Sequence, residues 1–134
     1  MAVRKVLLDT NAYVALMRGD ERVVEGLAAA DLVYLSVVVL GELETGFRGG
    51  SQCRRNREVL QDFLSKQSVD TLPVSRETAD VFGELKSRLK ARGKPLPIND
   101  VWLAAHAVET GAVLITYDAH FAELAGLRTW RHLT

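Results

Sequence analysis

Cysteine is almost missing from this chain. Cys53 is the single one among 134 residues, so an intramolecular disulfide is excluded and a reducing compartment, the cytoplasm, is the expected setting. Cys53 itself reads as an incidental surface thiol. Long apolar runs are missing too. Only Val6, Leu7 and Leu8 stand between Lys5 and Asp9, too few for a signal segment or a membrane span. A soluble protein with no membrane partner is expected. There is no excess of either charge: 17 basic residues balance 17 acidic ones, so overall charge does not point to nucleic acid. His106, His120 and His132 have no paired ligand spacing, and with a lone cysteine they do not make a zinc site. His106 reads as a structural histidine. No phosphate-binding Walker loop, dinucleotide fingerprint or nucleophile elbow occurs.

What is present is enough apolar material for a core. With 48% hydrophobic residues the chain fits a single domain spanning residues 1–134. Short apolar runs alternate with helical patterns. Strands are expected at Lys5–Leu8, Leu32–Leu35, Val69–Leu72 and Val113–Thr116, with a final edge strand at Thr129–Arg131. Helices are expected at Asn11–Met17, Glu21–Ala30, after Ser36 to Phe47, Ser51–Lys66, after Ser75 to Arg92, Asn99–Glu109 and His120–Leu124. Gly111 fits a left-handed helix end. Strands alternating with helices imply an α/β fold, a parallel sheet covered on both faces. Ligands of such sheets bind beyond the carboxyl ends of the strands, where strand order switches.

Four acids fall where that rule looks. Asp9 directly follows the first strand, and Asp118 lies just past the fourth. If these strands are neighbours, both carboxylates face one crevice; alone, each is also a plain turn or cap residue. Glu42 has Val38, Val39, Thr45 and Gly46 as helical neighbours. That mostly apolar or small face predicts an inward carboxylate, which needs a cation or a basic partner to offset its desolvation. Glu44, by contrast, has Arg48 one turn on and predicts a surface ion pair. Asp100 opens a helix after Pro95-Leu96-Pro97, where Asn99 or Asp100 is also a natural N-cap. Together the acids make an oxygen-rich donor set suited to magnesium or manganese.

At this point the residues resemble the PIN-domain family, in particular the VapC toxins of VapBC toxin–antitoxin modules. The likeness rests on Val6-Leu7-Leu8-Asp9-Thr10-Asn11, Gly41-Glu42-Leu43-Glu44-Thr45-Gly46, Pro97-Ile98-Asn99-Asp100-Val101-Trp102-Leu103-Ala104-Ala105-His106-Ala107 and Leu114-Ile115-Thr116-Tyr117-Asp118-Ala119-His120-Phe121. Their order and spacing cover essentially the whole chain. The resemblance implies a three-layer α/β/α fold with a parallel sheet of four to five strands ordered 3-2-1-4-5. It implies that Asp9, Glu42, Asp100 and Asp118 are catalytic and hold one or two Mg²⁺ or Mn²⁺ ions, with Asn11 and Thr116 in support. Some relatives carry Asn where Asp118 stands, which leaves open whether Asp118 binds directly or through water.

The implied activity is endonucleolytic hydrolysis of RNA, leaving a 5′-phosphate and a 3′-hydroxyl. The implied protein is a homodimeric toxin that pairs with a small antitoxin, by itself or in a higher toxin–antitoxin assembly. Arg54, Arg55 and Arg57, and the Lys86 to Lys94 block including Lys90, are candidates for gripping RNA phosphates; each block also reads as a solvated helix face. Three alternatives stay open. One is an aspartate-nucleophile phosphohydrolase using Asp9, although Asn11 stands where such enzymes usually carry a second acid. A phospho-acceptor receiver domain lacks its usual acidic pair. A noncatalytic PIN-like interaction domain would not require all four acids.

Overall fold

The computed structural model describes residues 3–130, and for Glu123 only the backbone. Four strands form the sheet: β1 (Lys5–Leu8), β2 (Leu32–Ser36), β3 (Val69–Leu72) and β4 (Val113–Ile115). All pairs are parallel and the order is β3-β2-β1-β4. Helices α1 (Thr10–Met17), α2 (Glu21–Ala28), α3 (Val37–Gly49), α4 (Cys53–Leu64), α5 (Arg76–Ala91) and α6 (Ile98–Thr110) make the crossovers. Since parallel crossovers are right-handed as a rule, an order that runs outward on both sides of β1 calls for helices on both faces of the sheet. The α/β architecture and the 3-2-1-4 order are those expected.

The expected fifth strand is reduced to one parallel bridge between Leu114 and Thr129. Leu114 N–H donates to Arg128 O at 2.8 Å, and Arg131 lies outside the described residues. The last expected helix is a short 3₁₀ turn, Ala119–Glu123.

The central strands read as unbroken apolar runs because both their faces are covered. Leu7, Leu8, Leu35, Leu114 and Ile115 are fully buried, each worth about 1.5–3 kcal/mol of burial. The register sets Leu8 beside Ile115, and Asp9 N–H donates to Ile115 O at 3.2 Å. The residues that follow, Asp9 and Thr116, therefore emerge side by side at the carboxyl edge.

Helix ends follow local chemistry. Ser36 caps α3 through Val38 N–H, and Ser75 with Thr78 closes a capping box on α5. Gly111 ends α6 at φ 74°, a conformation that disfavours a side chain. Helix α6 departs from expectation. Its N-cap is Pro97, with no side-chain cap bond, so neither Asn99 nor Asp100 caps it. Proline fits a helix start because its missing N–H costs nothing there. Asp100 thus sits inside the first turn with its carboxylate uncommitted to capping.

His106 is fully buried on α6, with Nε2 3.0 Å from Pro73 O, the structural role expected of it. Cys53 is half-buried and free.

Candidate active site

Asp9 and Thr116 form the base of the site. Asp9 is the N-cap of α1: its Oδ1 accepts from Ala12 N–H at 2.7 Å. Its Oδ2 accepts a short hydrogen bond from the Thr116 hydroxyl. Thr116 Oγ1 in turn accepts from Asp118 N–H at 2.9 Å. One buried hydroxyl thus ties the ends of β1 and β4 together and fixes the rotamer of Asp9.

Asp118 caps the 3₁₀ turn. Its Oδ1 accepts from His120 N–H at 2.9 Å, and the His120 ring Nδ1 lies 2.6 Å from the same oxygen. His120 was not among the expected site residues. The signal available was its position two residues after an aspartate that opens a turn.

Glu42 corrects an expectation. It is exposed, not turned inward. Helix α3 buries Val39 and Leu43, while Thr45 and Gly46 on the Glu42 side do not join that buried stripe. Small residues do not by themselves make a buried face. Glu42 Oε1 accepts a hydrogen bond from Thr10 Oγ1 at 2.7 Å, which aims it toward the start of α1. Thr10 stands within the first matching segment, but no site role was expected of it. Asn11, predicted to support the acids, is exposed on the first turn of α1 and makes no hydrogen bond to them among the described residues.

The acids act on one another. Burial raises the Asp9 carboxyl above its ordinary value, opposed by the hydrogen bonds from Thr116 and Ala12, and the charges of Asp118 and Glu42 push it further. Asp100 is also raised, first by burial, then by Asp118, Glu42 and Asp9, while His120 works the other way. A helix N-terminus favours an anion, yet at Asp100 burial and three like charges prevail. The four carboxylates therefore share one electrostatic field at the carboxyl edge.

Among the described residues, no three His, Cys, Asp or Glu side chains stand close enough to form a ready ligand cluster. The fit to a hard cation rests on the donor set. It is made of oxygen, and two of its carboxyls, Asp9 and Asp100, are held above their ordinary values by burial and neighbouring negative charge. A cation relieves both.

The basic candidates divide. Arg57 is committed to Glu44, which also pairs with Arg48 at 3.2 Å, as expected for that second pair. Arg54 and Arg55 are exposed on α4, and Lys86 and Lys90 lie on α5.

Comparison with known proteins places this geometry. The family model described as PIN domain matches residues 6–127. Ribonuclease VapC5 of Mycobacterium tuberculosis is 32% identical over 120 residues, covering 90% of this chain and 87% of that protein. Ribonuclease VapC1 of Haemophilus influenzae is 28% identical over 133 residues, covering 96% and 97%. Among solved structures, VapBC2 from Rickettsia felis, bound to a DNA fragment from their promoter, superposes with a TM-score of 0.83 at 25% identity, covering 93% of this chain and 96% of that one. VapBC from Salmonella typhimurium, also DNA-bound, gives 0.84 at 25% identity, covering 95% and 97%. With the match running from β1 past the 3₁₀ turn, the chain belongs to the PIN-domain family, in its VapC branch.

Proposed function

We propose that this protein is a magnesium- or manganese-dependent endoribonuclease and the toxin of a toxin–antitoxin pair, working in the cytoplasm. The observation that carries the reading is the Thr116 hydroxyl joining Asp9 to the Asp118 backbone, with Asp100 and Glu42 in the same field. The names of the relatives, Ribonuclease VapC, support it.

Asp9, Glu42, Asp100 and Asp118 would hold one or two cations. When bound, a divalent ion supplies activation of the attacking water and neutralisation of charge at the phosphodiester. The chain's own work is positional. Thr116 and Ala12 N–H hold Asp9 in one orientation, and Thr10 holds Glu42. His120 already engages Oδ1 of Asp118, which leaves Asp118 its other oxygen, or a bridging water, for the ion. The aspartate-nucleophile reading loses ground because the family match lies elsewhere.

An antitoxin would use apolar surface. A groove of about 420 Å³ runs between α1, α2 and β3, lined by Leu16, Met17, Val24, Leu27 and Phe63 among others. Met17 is 41% and Val24 46% exposed, so the groove offers apolar side chains that a partner's apolar segment would cover. The related structures are of VapBC complexes, which supports a small partner; the groove is where we place it. A homodimer, alone or within a larger assembly with the antitoxin, is part of the same proposal.

Purified protein should cut structured RNA with magnesium or manganese and release no fragments with a chelator. Undiminished cleavage in excess EDTA overturns metal dependence. No cleavage under any condition leaves the noncatalytic PIN-like interaction domain as the better reading.

A further inference from the structure

Beside the acids lies a cleft of about 190 Å³ that none of the roles above uses. It is lined by Thr116, Tyr117, Asp118, Ala119, Ala122, Leu127 and Thr129. Tyr117 sits in sequence between the residue that locks Asp9 and Asp118, yet it is 48% exposed. The ring is not loose. Its hydroxyl donates to Asp20 Oδ2 at 2.6 Å, and it meets Trp130 edge-on at 4.9 Å between centroids. The Arg22 guanidinium lies 4.6 Å from the centre of the Trp130 ring and 5.9 Å from that of Tyr117. A rigidly held aromatic surface, with a cation over one side and the acidic site adjoining, suits the stacking of an unpaired base.

We propose that this cleft receives one unpaired nucleobase of a single-stranded RNA segment, next to the bond presented to the acids. This inference rests on the ribonuclease reading and deepens it. Tyr117 supplies the stacking surface. Ala119, Ala122 and Leu127 supply apolar walls, and Thr129 and Asp118 supply polar ones. Arg22, outside the cleft lining, lies over the Tyr117 and Trp130 rings and sets positive charge close to the stacking surface. Lodging a base on Tyr117 fixes the neighbouring phosphate relative to Asp118, because the two residues are adjacent in a turn that Asp118 itself caps. Tyr117 is therefore a binding and positioning residue, selecting unpaired RNA over duplex.

The test uses the full chain and labelled single-stranded RNA oligonucleotides carrying one abasic site, moved position by position. Affinity is measured in chelator, and single-turnover cleavage with magnesium. Tyr117→Leu removes the aromatic face and should weaken binding about tenfold, with Tyr117→Phe recovering most of that affinity. Ala122→Phe fills the cleft from an exposed position and should lose affinity without disturbing the packing of Tyr117 on Trp130. For the parent, one abasic position should cost a similar factor, and that same position should cost Tyr117→Leu little.

If the parent cuts RNA but Tyr117→Leu and Ala122→Phe bind and cut as it does, the cleft proposal fails and the ribonuclease reading stands; the ring is then left as a surface for a protein partner. Abasic effects that multiply independently with Tyr117→Leu also overturn it. A parent that binds and cuts no RNA overturns both readings together.

Discussion

At Asp100 two influences on one carboxylate can be separated by substitution. Among the described residues no hydrogen bond stabilises its charge, and burial with three neighbouring acids raises it above its ordinary value. A carboxyl raised in the folded state binds protons more tightly there than in the unfolded chain. Its contribution to stability is whole below the unfolded value near 3.8 and is lost as pH rises through the raised folded value. Asp100→Asn should therefore melt higher than the parent at neutral pH in chelator, and the gain should vanish toward pH 3.8. The parent should gain more from added magnesium than the variant. A variant that melts lower at neutral pH in chelator, or gains equally from magnesium, would remove Asp100 from the acidic centre. Glu42, exposed and bonded to Thr10, is the weaker place to look for such strain. Thr116 offers the complementary test. Thr116→Val removes the hydroxyl that serves Asp9 and Asp118 N–H at once and leaves both short of a partner. It should cost about 1–3 kcal/mol in denaturant melts and most of the cleavage, while Thr116→Ser restores much of each.

Helices decide which charges are available to RNA. On α4, Arg54, Arg55 and Arg57 are all exposed, but Arg57 is paired with Glu44 of α3; on α5, Arg88 pairs with Glu84, whereas Lys86 and Lys90 stand on other sides of the helix. A run of basic residues in sequence thus contains both ion-paired members and members turned elsewhere. Helical geometry brings residues three or four apart into reach of one another. Replacing Arg54 with Arg55, or Lys86 with Lys90, by alanine should reduce the salt dependence of single-stranded RNA binding. The log–log slope should fall by about 0.7 for each phosphate no longer neutralised. Arg57→Ala should act instead through the packing of α3 on α4 and leave that slope nearer the parent's. Equal slopes for every variant would make both blocks solvated faces only.

Across the whole molecule, pH works on two buried regions with opposite sign. His106 is lowered below its usual 6.5, chiefly by burial, against the pull of Pro73 O and the charge of Glu109. Its contribution is whole above the unfolded value and is lost as pH falls through the depressed folded one. The acids near the start of α6 behave the other way. Denaturant melts in chelator at about pH 7.5 and 5.5 should show His106→Gln losing less stability on acidification than the parent. An equal fall in both would show that His106 is not the titrating group. No helix among the described residues is long and apolar enough to cross a membrane.

The order of elements was legible in the sequence because its signals are local. Lys5–Leu8 and Val69–Leu72 have strand length, Ser36 and Ser75 cap helices, and Gly111 ends one. The parallel sheet and the place of Asp9 beside Thr116 follow from that order once β1 and β4 are neighbours. What local pattern did not determine was which side of a helix is buried and which partner a charge meets. Glu42 turned outward because α3 packs along Val39 and Leu43; Asp100 was freed from capping because Pro97 took that place; the fifth strand shrank to one bridge at Leu114. His120 on Asp118, Thr10 on Glu42 and the Tyr117 cleft depend on elements far apart in the chain or on the shape of a turn. A sequence states which residues can form a strand, a cap or a charged face. Only the packed chain decides which of them share a site, because distance and burial belong to the tertiary structure.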